Sequence, residues 1–139
     1  MCDTMPQVET AIGIREKFLN ALNAQRLESN KYRGQSLYEI KSGVKTFYVY
    51  IKVSTTKEGF WGLTKNLIDK LNIEGKKYKV VLLKGDENTA YILSSNEIKL
   101  LVPKLPLSRD GDYKLTETNP LLTSTIITSF EEIKSSLLS

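Results

Sequence analysis

Along FYVYIKVSTT, residues 47–56, side chains alternate so that Phe47, Val49, Ile51 and Val53 fall on one side of an extended chain and Tyr48, Tyr50, Lys52 and Ser54 on the other. Phenols beside an ammonium group suit a polyanionic, base-bearing ligand: rings stack on bases or pack on sugars while lysines meet phosphates. Lys41, Lys45 and Lys57 lie close enough in sequence to extend that surface. In GFWGLTKN, Phe60 and Trp61 sit between two glycines, and Thr64, Lys65 and Asn66 follow where a helix would begin, an arrangement that can hold an anion. Two readings of these aromatics stand side by side. In one, Tyr48, Tyr50 and Trp61 face a nucleic-acid groove; in the other a helix covers Tyr48 and Tyr50, Lys52 reaches water along its stem, and Trp61 plugs the core. Glu9 and Glu16, seven residues apart, flank an apolar stripe from which a carboxylate can look over the edge of a sheet.

The composition removes several chemistries. With no histidine and the single cysteine Cys2, the usual zinc ligand sets, an internal disulfide, and hydrolases built on Ser-His or Cys-His pairs are excluded. A metal would have to be hard and held by oxygen. RDGDYK at 109–114 starts like a calcium loop but lacks its closing glutamate, and KGDENT at 84–89 has glycine and lysine in the wrong order for a phosphate loop. Between Lys31 and Lys84 there are twelve Lys or Arg against four acids, a surplus of eight in a chain whose net charge is +4. A basic middle of this kind favours a polyanion, because clustered cations gain from counterion release. The N-terminal MCDTMPQVET has neither a basic start nor an apolar stretch, so a cytoplasmic protein is expected.

The elements that position these residues follow from periodicity. Val8, Ile12, Leu19 and Leu22, with Phe18, predict a helix over residues 8 to about 28. SLYEIK and TFYVYIKVS around Ser42-Gly43-Val44-Lys45 predict a hairpin; a turn centred on Gly43 and Val44 sets Lys41 opposite Thr46 and Glu39 opposite Tyr48. Leu37, Glu39 and Lys41 then share a face with Tyr48, Tyr50 and Lys52. Leu63, Leu67 and Leu71 predict a second helix, KYKVVLLKG a covered central strand, and TAYILSS its hairpin partner. Residues 97–107 read as helical or irregular up to Pro103 and Pro106, RDGDYKLTETN as a polar connection, and Ser129 with Glu132 as the capping box of a last helix. The expectation is one α+β domain over residues 1–139, its core about 8–102 with a C-terminal extension at 103–139, ordered helix, hairpin, helix, hairpin, helix around a mixed sheet.

A helix, a strand bearing Glu39, a strand ending Lys52-Val53-Ser54, a helix and a strand resemble the nuclease core of the restriction-endonuclease-like, PD-(D/E)XK, superfamily over roughly residues 9–95. The resemblance implies that Glu39, with Glu16 or Glu9 as a helix acid, would hold Mg²⁺, and that Lys52 would steady the attacking water in cleavage of DNA. The chain departs from the family pattern at Tyr50, where an acid is wanted; taking Glu39-Ile40-Lys41 as the Glu-x-Lys restores the motif but leaves no acid on a preceding strand. The sequence therefore points to a nucleic-acid-binding protein, DNA ahead of RNA, with a degenerate nuclease motif and a possible homodimer. Its rival is a protein-interaction or regulatory module.

Overall fold

In a computed structural model, residues 10–33 and 36–139 are described. They form an α+β fold built on a mixed five-stranded sheet flanked by helices. The chain runs α1 (Ala11–Ala24), β1 (Glu28–Arg33), β2 (Leu37–Ser42), β3 (Lys45–Ser54), β4 (Phe60–Leu63), α2 (Lys65–Ile73), β5 (Lys79–Lys84), β6 (Ala90–Ser94), α3 (Ser95–Leu101), β7 (Tyr113–Thr116) and α4 (Phe130–Leu138). The sheet order is β1-β2-β3-β5-β6, while β4 and β7 form a separate two-stranded ribbon. Strands β1 to β3 make an antiparallel meander, α2 carries the chain over so that β5 lies parallel to β3, and β6 returns antiparallel.

Period-two burial explains the layers. On one face Val49 and Ile51 of β3 and Val81 and Leu83 of β5 meet Ile14, Phe18 and Leu22 of α1 and Ile133 and Leu137 of α4. On the other, Tyr50, Val80 and Leu82 meet Ile68 and Leu71 of α2, Ile98 and Leu101 of α3, and Trp61 and Leu115 of the ribbon. Strand β5, as its unbroken apolar run predicts, is buried on both faces. The hairpin register is the expected one: Glu39 faces Tyr48 and Lys41 faces Thr46, with Gly43 at φ 62° supplying the turn.

The differences are informative. The first helix ends at Ala24, and Ile12, expected in its apolar stripe, is 70% exposed while Ile14 is buried. Strand β1, ESNKYR, is a wholly polar edge strand and carries no apolar alternation. FWGL is strand β4 rather than the approach to a helix, and YKLT of the expected polar connection is its partner β7. Ser129 is the N-cap of α4 but makes no side-chain cap bond; the capping box is at Ser94 and Glu97, opening α3. No helix of the described residues is long and apolar enough to cross a membrane.

Candidate functional site

The polar face of β3 is divided by what packs on it. At its far end Tyr50 is fully buried, accepting a hydrogen bond from the backbone N–H of Thr64 at 2.9 Å and donating to Thr64 Oγ1 at 3.2 Å. Burial raises its pKa above the ordinary phenol value. The same two bonds anchor the start of α2, whose N-cap is Thr64. Trp61 is 1% exposed; its indole N–H donates to the Leu83 carbonyl at 3.0 Å and its ring meets Tyr91 edge to face, centroids 5.8 Å apart. The core reading therefore holds for Tyr50 and Trp61, and neither presents a ring to a ligand. Ribbon β4–β7, absent from the sequence-level expectation, is what seals this end.

Lys52 is half-buried, and its pKa is lowered, first by burial and then by Arg15, with Asp112 opposing. Glu39 stands on the neighbouring strand opposite Tyr48, four residues back along β3, so its backbone is about 14 Å from that of Lys52. Its carboxylate pairs with Lys41 at 3.7 Å. Glu16 is exposed on α1, in a groove it shares with Lys31 and Tyr38. Tyr38 belongs to the α1 face of the sheet, so its neighbour Glu39 points to the other face, and the sheet separates the two acids. Glu9 lies outside the described residues, among which no group of three or more His, Cys, Asp or Glu comes together to hold a metal. Of the expected Mg²⁺ ligands, the two that are described do not meet on one ion: Glu39 is tied to an ammonium and Glu16 is across the sheet from it.

Around α2 the expected anion site is engaged internally. Lys65 pairs with Asp69 at 2.5 Å and lies 5.4 Å from the Tyr113 ring centroid, while the Tyr113 hydroxyl donates to the other Asp69 oxygen at 2.5 Å. These two bonds, that of Lys65 first, hold the Asp69 carboxyl below its ordinary pKa. Asn66 and Lys57 are exposed.

The residues that do converge lie at the near end of the face, and only Tyr48 and Lys45 among them were expected. Strand β1 shifts register between Lys31 and Arg33, leaving Tyr32 as the extra residue of a bulge that re-aims its side chain. Its ring meets Tyr48 with centroids 4.8 Å apart and planes at 50°. Helix α2 stops at Gly75, φ 68°, with the N–H of Lys76 reaching back to the Leu71 carbonyl at 3.1 Å. This left-handed stop, which glycine adopts without strain, sets Lys76 under both rings. The Lys76 ammonium is 5.0 Å from the Tyr32 centroid and 4.9 Å from that of Tyr48, and donates to the Tyr32 hydroxyl at 3.0 Å.

Tyr48 is also one wall of a cavity of about 230 Å³, bounded by Lys45, Lys77, Lys79, Ser94 and Asn96. Lys79 donates to the carbonyls of Ser136 at 2.5 Å and Ser139 at 3.0 Å, and Lys45 to that of Leu138 at 2.9 Å. Two ammonium groups thereby cap the negative end of α4. Burial, then the neighbouring Lys45, lowers the pKa of Lys79. Lys77 stands exposed at the rim. The sequence signal for this cluster is GKKYK, a basic run directly after a helix-ending glycine, together with the KYR of β1. No protein-family model matches this chain, and no curated protein matches it.

Proposed function

We propose that this protein is a cytoplasmic nucleic-acid-binding protein that takes DNA on the face of Tyr32, Tyr48 and Lys76, with Lys41, Lys45 and Lys77 around it. The observation that carries the reading is the Lys76 ammonium set over two tyrosine rings beside a lysine-rimmed cavity, in the most basic part of the chain. A restriction-endonuclease-like scaffold remains part of this reading: α1, the β2–β3 hairpin with Glu39 on β2 and Lys52 on β3, α2 and β5 follow one another in that order, with β1 and β4 as additional strands between them. The separation of those two residues, and the pairing of Glu39 with Lys41, favour binding over cleavage, so Lys52 and Glu39 receive no joint catalytic role.

The test is fluorescence anisotropy with a labelled DNA oligomer across a salt series. Binding weakens linearly in log salt, and Lys77→Ala reduces the slope by about one while Lys104→Ala, in a separate groove beside Leu100 and Leu121, leaves it unchanged. No binding at low salt would end this reading and favour the protein-interaction module.

A further inference from the structure

We infer, resting on the reading just given, that the site takes single-stranded DNA and seats an unpaired base against Tyr48. Three features of this corner point the same way. First, the aromatic surface is a wedge: the rings of Tyr32 and Tyr48 are inclined at 50°, and Tyr32 is 37% exposed at the sheet edge. A ring offered this way stacks only on a base whose π-face is open, and in a duplex both faces of each internal base are already covered by its neighbours. Second, Tyr48 belongs at once to the aromatic pair and to the wall of the adjoining cavity. That cavity, about 230 Å³, is smaller than the pockets that enclose whole drug-sized ligands, which run from about 300 Å³ upward. It opens to solvent and has room for one base beside the Tyr48 ring.

Third, the charges and polar groups are divided as a single strand requires. Lys77, in the same cavity lining as Tyr48, and Lys76, over its ring, offer ammonium groups to the phosphates either side of a seated base. Ser94 and Asn96 line the same cavity, and an amide there offers both a donor and an acceptor to a base edge. Lys45 and Lys79, which bond the last carbonyls of α4, complete the basic lining. Duplex DNA, met only through its phosphates, would engage the lysines and make no use of the ring faces.

The experiment compares a labelled oligothymidylate with a blunt duplex of equal length at one salt concentration, for the wild type and for Tyr32→Leu, Tyr48→Leu and Tyr48→Phe. The expected result is single-strand binding at least about tenfold tighter than duplex binding. Each leucine variant loses about fivefold or more of the single-strand affinity, within the range of one stacked base, with duplex binding unchanged. Tyr48→Phe, which keeps the ring, retains the preference. Should Tyr48→Leu lose its far-ultraviolet circular dichroism, Tyr32→Leu at the exposed edge decides the matter. Equal or tighter duplex binding with a normal salt slope overturns the single-strand inference and leaves the DNA-binding reading standing, whereas no binding to either ligand overturns that reading itself.

Discussion

Glu117 offers the sharpest physical test of how the ribbon is held. Its carboxylate accepts hydrogen bonds from Lys84 Nζ at 2.6 Å, the Tyr91 hydroxyl at 2.7 Å and the backbone N–H of Gly59 at 3.1 Å, joining the loop before β4 to the β5–β6 hairpin. These partners, Lys84 first, pull its pKa from 4.5 to about 2. At about 1.4 kcal/mol per tenfold change in acidity this corresponds to at most about 3.5 kcal/mol. The side chain keeps 19% of its surface in water, and screening there reduces the contribution to about 1–2 kcal/mol. The sign follows from the direction: a carboxyl more acidic in the folded state stabilises fully above about pH 4.5 and loses that stabilisation as pH falls toward about 2. Glu117→Gln keeps the shape and removes the charge. With a urea dependence of about 1–3 kcal/mol per molar, its unfolding midpoint at pH 7 should fall by about 0.5–1 M, followed by circular dichroism. The gap from wild type should close near pH 2. An equal gap at both pH values would refute the charge-based account and leave only a packing role.

Two further substitutions probe the same seam and the neighbouring lysine. A methyl group at Gly59 would stand 2.4 Å from the Trp61 ring, which is fixed by burial and by its bond to Leu83, so Gly59→Ala should cost about 2 kcal/mol in urea unfolding. Stability equal to wild type would mean that the ring can yield. Lys52, whose pKa is lowered by burial, binds its proton more weakly in the folded state, so its charge disfavours folding at neutral pH and this handicap fades as pH rises through its folded pKa. Lys52→Met should be neutral to about 1 kcal/mol stabilising at pH 7, with a smaller gain at high pH. A clear loss of stability would reveal an ion-pair role.

Much of the fold is legible in the residues, for physical reasons that also mark where legibility ends. The β2–β3 register follows from alternation on both strands and one glycine able to take φ 62°, and β5 is recognisable because four consecutive apolar residues need cover on both faces. Strand β1 is not, since ESNKYR borrows its pairing from β2 and has no apolar periodicity of its own. The ribbon is invisible for a related reason: FWGL and YKLT are four residues each and lie 49 apart, so only tertiary pairing defines them. This decides the site as well. A polar-looking row of Tyr48, Tyr50 and Lys52 is uniform in sequence, yet the ribbon and α2 bury one end and leave the other beside Tyr32 and Lys76, contributed by an edge strand and a helix stop.

The chain contains one tryptophan, and it sits where the ribbon meets the sheet, with its N–H on the Leu83 carbonyl. Intrinsic emission is therefore a local gauge of that junction. It reads whether the two-stranded flap is seated, and it is blind to loosening of the α1–α4 layer on the opposite side, for which only a whole-backbone signal serves.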